Sequence, residues 1–120
     1  MKENIIQIED LERIILGRKA QMPEGSYVAS LFKKGTDRIA QKVGEEGVEV
    51  ALAATRLGIT GQGEKELVGE VTDLWFHSLV LLAQLNIPYL KVMEELTKRH
   101  AEKTLKGGDE NGKNKSKKIY

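Results

Sequence analysis

Two acidic segments set in apolar, helix-favouring sequence constrain this 120-residue chain more than any other feature. Residues 42–54 read KVGEEGVEVALAA, and residues 70–82 read EVTDLWFHSLVLL. Each contains an acid-x-x-acid pair, Glu46 and Glu49 in the first and Glu70 and Asp73 in the second. Because residues three apart share a helix face, two such helices packed together would bring four carboxylates to one point. A low-dielectric interior does not hold four negative charges without a cation.

Helical periodicity and turn residues together predict an all-α fold. No segment of five or more residues alternates apolar and polar side chains as a half-buried strand would. The expected helices cover residues 9–19, 27–34, 37–57, 64–85 and 88–106, with Asp10, Ser26, Thr36 and Asn86 as the expected caps. We expect one domain over residues 1–106 and a disordered, lysine-rich tail over residues 107–120.

The second long helix has two apolar stripes, and this pattern predicts the assembly. One stripe follows the spacing of a helix-bundle seam, and it consists of Leu67, Val71, Leu74, Ser78, Leu81 and Leu85. The other consists of Val68, Trp75, Leu79 and Leu82. Because the short helices of one chain offer little cover for both stripes, we expect two long and several shorter helices per chain, with a four-helix bundle completed by dimerisation.

Charge and composition exclude several classes of protein. The net charge is +1, which argues against strong binding to nucleic acid, and there is no cysteine for a disulfide or a thiolate metal site. The N-terminus lacks the features of a signal peptide, and the longest apolar run, residues 79–83, is too short to span a bilayer. We therefore expect a cytoplasmic protein without a nucleic-acid or membrane partner.

The acidic pairs have two interpretations from the residues alone: solvated surface acids, or a site for a hard divalent cation such as magnesium or manganese. A di-iron carboxylate site is disfavoured because it requires Glu-x-x-His, and Leu74 and Thr97 stand three residues before the two histidines. Basic residues next to the acids are either salt-bridge partners or ligands for a polyphosphate. The candidates for substrate binding are Lys34, Arg38, Lys42 and, as either a packing or a catalytic histidine, His77.

Two glycines inside the first long helix, Gly44 and Gly47, are each unfavourable by about 1 kcal/mol relative to alanine. We expect the close approach of a facing helix or of a ligand to compensate for them. Simple tolerance of the two glycines is the alternative.

The acidic residues, Glu45-Glu46-x-x-Glu49 and then Glu70-x-x-Asp73, resemble the magnesium motif of the all-α NTP pyrophosphohydrolases, the MazG-like superfamily. Within that superfamily, the chain more closely resembles the phosphoribosyl-ATP pyrophosphatases of histidine biosynthesis. The flanking segments that carry the narrower resemblance are GSYVASLFKKG (residues 25–35), QKVGEEGVEVALAA (41–54), EVTDLWFHSLVLL (70–82) and LTKRH (96–100).

The resemblance implies hydrolysis of phosphoribosyl-ATP to phosphoribosyl-AMP and pyrophosphate by a magnesium-dependent, cytoplasmic homodimer. By motif position it implies metal ligation by Glu46, Glu49, Glu70 and Asp73, and catalytic roles for Glu45 and Glu49. Gly47 and Thr72 depart from the usual pattern, and we expect no cyclohydrolase domain in so short a chain. Two alternatives stay open: a house-cleaning enzyme acting on dUTP or an abnormal NTP, and a non-catalytic helical dimerisation module with a vestigial site.

Overall fold

The computed structural model describes residues 4–106, and this part of the chain is all-α, as the sequence predicts. Its elements are α1 (Ile8–Gln21), α2 (Tyr27–Lys34), α3 (Thr36–Thr60), α4 (Glu64–Gln84) and α5 (Tyr89–Lys106). No strand occurs among these residues. The predicted tail, residues 107–120, lies outside the described residues. In the described part, no helix is both long and apolar enough to cross a membrane.

The described helices fall into two compact units, the first ending at Ile87 and the second beginning at Pro88. In the first unit, α3 and α4 form the most extensive helix pair, α1 packs against α2 and α4, and α2 packs against α3. The second unit contains α5. Since the two acidic segments lie on α3 and α4, the largest helix–helix contact of the first unit is also the one that carries the candidate site.

Apolar side chains from α1, α2, α3 and α4 form one core in the first unit. The most deeply buried residues are Ile15, Ala29, Leu31, Phe32, Ile39, Leu79, Val80 and Ala83. On α4 the predicted bundle-seam residues are half-buried, apart from the exposed Leu85. The other predicted stripe divides, since Leu79 is buried whereas Val68 and Trp75 are exposed. One chain therefore covers only part of the apolar surface of α4.

Local capping chemistry explains where α2 begins. The Ser26 hydroxyl accepts a hydrogen bond from the backbone N–H of Ala29 at 3.1 Å, which confirms Ser26 as the predicted cap. Gly25, directly before it, has a φ of +82°, a backbone conformation that favours glycine. The Gly-Ser pair thereby fixes the position of Tyr27, the first residue of α2.

The other predicted caps are wrong. Gln7 precedes α1 and Asp10 lies in the first turn, where it pairs with Arg13 at 2.6 Å. Gly35, with a φ of +96°, precedes α3, so that Thr36 is already the first helical residue. A glycine can adopt the backbone of such a tight junction between two helices, and the short interval between α2 and α3 leaves no room for a separate capping threonine.

The end of α4 is held by a cation from α1. The Lys19 ammonium donates hydrogen bonds to the Ala83 carbonyl at 2.7 Å and to the Asn86 side-chain oxygen at 2.8 Å. A positive charge at this position is favourable because the C-terminal end of a helix carries partial negative charge. Asn86, expected to cap the last helix, instead adopts a left-handed turn with a φ of +61°.

Candidate functional site

The packing of α3 against α4 brings together the four predicted metal ligands, which we call the acidic cluster: Glu46, Glu49, Glu70 and Asp73. Their proximity is visible in the pKa of the Glu70 carboxyl, which is raised above its ordinary value of 4.5. A hydrogen bond with the Glu49 side chain is the largest cause, and desolvation is the second. The remaining causes are the negative charges of Glu49, Asp73 and Glu46.

Two carboxylate oxygens of the acidic cluster are buried without a hydrogen bond from any described residue, Oε1 of Glu46 and Oε1 of Glu70. The Glu46 residue is only 6% exposed. Buried polar atoms are normally paired, and an unpaired carboxylate oxygen is especially unfavourable. Oxygens of this kind, on facing helices, are the ligands that magnesium prefers. The donor chemistry of the acidic cluster therefore fits a hard divalent cation.

The side chains of the acidic cluster do not form a preformed coordination shell for a metal ion. Among residues 4–106, no group of three or more acidic or histidine side chains is arranged as a preformed metal-binding set. Glu49 and Asp73 are exposed, whereas Glu46 is buried and Glu70 is half-buried. The two less exposed members lie on different helices, Glu46 on α3 and Glu70 on α4.

His77 lies beneath the acidic cluster and is only 4% exposed. Its Nδ1 is 3.0 Å from the backbone oxygen of Asp73 and also contacts Oε1 of Glu46, without forming a hydrogen bond with that oxygen. Its Nε2 is 2.7 Å from the hydroxyl of Tyr27. Both ring nitrogens of His77 thus face protein atoms, whereas the sequence places this residue among the candidates for substrate binding.

Lys42 is the predicted basic residue that lies at the acidic cluster. Its ammonium is 3.7 Å from Glu45 and 3.9 Å from Glu46. The Glu45 carboxylate also accepts a hydrogen bond from Gln41 at 3.0 Å. Because Glu45 is not among the charges that raise the pKa of Glu70, this exposed acid stands at the edge of the cluster.

The other two basic candidates lie further from the acids. Arg38 is half-buried one turn before Lys42 on α3, and Lys34 is exposed at the C-terminal end of α2. Neither forms an ion pair with another described residue. Their predicted role in binding substrate therefore stays a prediction.

A cavity of about 730 Å³ adjoins the acidic cluster. We call its charged lining residues the charged wall and its ring-bearing lining residues the aromatic wall. The first set is Lys42, Glu46 and Asp73, the second is Tyr27, Trp75, Phe76 and His77, and Ile6, Leu11 and Thr72 complete the lining. Three of these rings contact one another, with centroids 6.4 Å apart for Tyr27 and Phe76 and 5.2 Å apart for Phe76 and His77. A cavity with one charged and one aromatic wall suits a ligand that has both anionic groups and a flat ring.

Tyr27 and Phe76 are residues of this site to which the sequence assigned no role. The segment GSYVASLFKKG carried part of the resemblance, but nothing in its spacing connects Tyr27 to the acidic helices. The signal that was available is the Gly-Ser pair before it, because this pair fixes the start of α2 and hence the position of the tyrosine.

The fold and the acidic cluster define a class, all-α proteins in which two facing helices each contribute an acid-x-x-acid pair to one site. The family comparison then identifies the chain more narrowly. The chain belongs to the phosphoribosyl-ATP pyrophosphohydrolase family, whose model matches residues 8–100.

The similar proteins are of two kinds, phosphoribosyl-ATP pyrophosphatases and longer bifunctional proteins of histidine biosynthesis. A phosphoribosyl-ATP pyrophosphatase of Hydrogenovibrio crunogenus is 47% identical over 89 residues, which cover 74% of this chain and 78% of that protein. The histidine biosynthesis bifunctional protein HisIE of Photobacterium profundum is 48% identical over 97 residues, and that of Bacillus subtilis is 44% identical over 95 residues. The matched regions cover 44% and 43% of these two bifunctional proteins, so the chain spans less than half of their length.

Proposed function

We propose that this chain is a magnesium-dependent phosphoribosyl-ATP pyrophosphatase, which hydrolyses phosphoribosyl-ATP to phosphoribosyl-AMP and pyrophosphate in histidine biosynthesis in the cytoplasm. The observation that carries the proposal is the convergence of four carboxylates from α3 and α4, two of whose buried oxygens accept no hydrogen bond from a described residue, within a chain that belongs to this family. The names of its relatives support the choice of substrate.

Glu46, Glu49, Glu70 and Asp73 would hold the metal. Bound magnesium would offset the negative charge of both the acidic cluster and a triphosphate. Without a cation, the cluster would repel a polyanion. The pKa of Glu70 is raised first by the hydrogen bond with Glu49 and by desolvation, and further by the neighbouring negative charges.

The remaining residues of the site position water and substrate. Glu49 and Glu45 are the carboxylates proposed to orient the attacking water and take up its proton. The water oxygen bonds to the α phosphorus. The bond from this phosphorus to the oxygen that bridges the α and β phosphates breaks, and pyrophosphate leaves with the electron pair of that bond. We propose that Lys42, beside Glu46, and Arg38, one turn earlier, bind the phosphate oxygens.

The cavity beside the acidic cluster is proposed to receive the adenine ring. Tyr27, Trp75 and Phe76 offer aromatic surface there, and Lys42, Glu46 and Asp73 line the same space. A nucleotide with its ring against the aromatic wall would direct its phosphates toward the charged wall.

We also propose that the active form is a homodimer. The residues of α3 and α4 that stay exposed in one chain include Val48, Leu52, Ile59, Val68 and Trp75. Trp75 is 68% exposed and also lines the cavity. Large apolar side chains on the paired helices of a site mark a surface that a second chain would cover.

A panel of substrates, assayed with wild type and with a variant that changes one carboxylate to an amide, tests the proposed function. We expect pyrophosphate release from phosphoribosyl-ATP to need added magnesium and to exceed release from dUTP and other free nucleotides. Glu49→Gln should lower kcat by at least about a hundredfold, because it replaces a ligand that is also a candidate proton acceptor. Glu64→Gln makes the same chemical change at an exposed position of α4 outside the acidic cluster and should leave turnover unchanged.

Each alternative predicts a different result. A preference for dUTP or an abnormal NTP would assign the chain to a house-cleaning activity. Absence of magnesium binding by calorimetry, together with no turnover of any nucleotide, would favour the non-catalytic dimerisation module. Near-normal activity of Glu49→Gln would overturn the assignment of the catalytic residues.

A further inference from the structure

Tyr27 connects the surface of the molecule to a buried residue of the site. The residue is 51% exposed, and the Gly25–Ser26 junction fixes its position at the first turn of α2. Its hydroxyl nevertheless reaches the buried Nε2 of His77 at 2.7 Å. The hydroxyl therefore makes one specific polar contact with the interior, in addition to the apolar contacts of the ring.

The two atoms next to the other ring nitrogen determine the direction of that hydrogen bond. Nδ1 of His77 faces the Asp73 carbonyl oxygen and the Glu46 carboxylate, and both are acceptors. Nδ1 must therefore carry a proton. In the neutral imidazole Nε2 is then an acceptor, so that the Tyr27 hydroxyl donates to it.

We propose that Tyr27 is a positioning residue that acts through His77 to hold Glu46 in place for metal binding. The imidazole spans three helices, since Tyr27 lies on α2, Glu46 on α3 and the Asp73 carbonyl on α4. This inference rests on the proposed function, because it assigns Tyr27 a role in the same metal site.

The contact with His77 matters because few other polar contacts hold the Glu46 carboxylate in place. Its Oε1 has no hydrogen bond from a described residue, and Lys42 is 3.9 Å from its Oε2. The imidazole is the polar group packed against Oε1. An imidazole held at both nitrogens presents a fixed edge to this carboxylate, whereas an imidazole without its Nε2 partner loses one of the hydrogen bonds that fix the orientation of its ring beside Glu46. Partners that orient metal ligands typically contribute about 10- to 100-fold in metal affinity or activity.

A role in substrate stacking competes with this interpretation, because the Tyr27 ring also lines the cavity and lies 6.4 Å from the Phe76 ring. Tyr27→Phe separates the two roles. It retains the aromatic surface that would stack on adenine and removes only the hydroxyl that reaches His77.

The test measures magnesium binding to wild type and Tyr27→Phe by calorimetry, with the KM and kcat for phosphoribosyl-ATP measured at saturating magnesium. We expect the dissociation constant for magnesium to rise by about tenfold or more in Tyr27→Phe. The KM should change by less than about twofold, because the ring remains. Thr55→Val removes a hydroxyl from an exposed position of α3, where that hydroxyl donates to the Ala51 carbonyl of the same helix, and should bind magnesium as wild type does.

A double-mutant cycle isolates the path through His77. His77→Asn retains a donor near the position of Nδ1 but loses the partner of the Tyr27 hydroxyl. We therefore expect Tyr27→Phe to have no further effect on magnesium affinity in the His77→Asn background. Nitrogen-15 spectra of the His77 ring give a readout that is independent of activity. We expect Nδ1 to be protonated in both proteins and the Nε2 resonance to shift in Tyr27→Phe, because this acceptor loses its hydrogen bond.

The outcomes distinguish a failure of this inference from a failure of the proposed function. Wild-type magnesium binding and turnover, combined with unchanged affinity in Tyr27→Phe, would overturn the positioning role alone. A raised KM with unchanged magnesium affinity would replace it with a substrate-stacking role. Absence of magnesium binding in wild type itself would overturn both, and a circular dichroism melt identifies any variant that has lost its fold.

Discussion

The Glu70 carboxyl shows how strongly the members of the acidic cluster act on one another. Its pKa is raised above 4.5 because Glu49 forms a hydrogen bond with it, because it is desolvated, and because three negative charges surround it. The folded protein therefore binds a proton at this group more tightly than the unfolded chain does. The ionised form destabilises the metal-free fold above that pKa, and the penalty falls as the pH decreases through the raised value toward 4.5.

Glu70→Gln tests whether the ionised Glu70 carboxylate destabilises the metal-free fold. We expect a higher melting temperature than wild type at neutral pH without metal, because the amide removes one charge and donates a hydrogen bond to Glu49. The difference should shrink as the pH falls through the pKa of Glu70. Added magnesium should raise the melting temperature of wild type and have less effect on the variant. Thermal melts across a pH series, with Glu64→Gln as the control, measure both effects, and a lower melting temperature in metal-free Glu70→Gln would contradict the expectation.

At the scale of a single element, α3 contains three glycines, Gly44, Gly47 and Gly58, and the described residues offer no packing contact that explains any of them. The sequence led us to expect a facing helix or a ligand in close approach. A Cβ added to Gly44 or Gly47 would, however, lie more than 4 Å from every described atom outside its chain neighbours and the nearby backbone of α3. Within one chain, then, the loss of helix propensity at these positions is not offset by packing.

Gly47→Ala should therefore stabilise the isolated chain by up to about 1 kcal/mol. Urea unfolding monitored by circular dichroism gives the change, and the parallel variant Gly44→Ala gives a second measurement on the same helix. If either alanine destabilises the protein or lowers its activity, a second chain or the substrate must approach α3 closely at that position.

For the whole molecule, the apolar surface left exposed on α3 and α4 predicts self-association. Leu52 is 63% exposed on α3, and Trp75 is 68% exposed on α4. Side chains of this size on a paired helix surface are the usual centre of a protein interface. The proposed dimer would thus bury apolar surface that the described part of one chain leaves exposed.

Leu52→Glu should weaken the proposed dimer, with the dissociation constant raised at least about tenfold, because a carboxylate would be buried at the interface. Light scattering coupled to size-exclusion chromatography across a concentration series measures the mass. Leu16→Glu, which places the same charge at an exposed apolar position of α1, is the control. Wild type that is a single monomeric species at micromolar concentration would contradict the dimer.

The sequence by itself determined the helices and the pairing of the acids. Both are local properties: a period of 3.6 residues places Glu46 with Glu49 and Glu70 with Asp73, and Ser26 caps its helix through an atom three residues away. Even local reasoning was wrong at Asp10, Thr36 and Asn86, because several residues near a helix end have side chains that are able to cap it.

The tertiary structure alone decided which acid is buried and what orients it. Glu45 and Glu46 are adjacent in sequence, yet Glu46 is buried against His77 and Glu45 stays exposed. Tyr27 and His77 meet although 50 positions separate them. The helical period fixes which residues share a face, but the rotation of each helix against its neighbours depends on how the whole core packs.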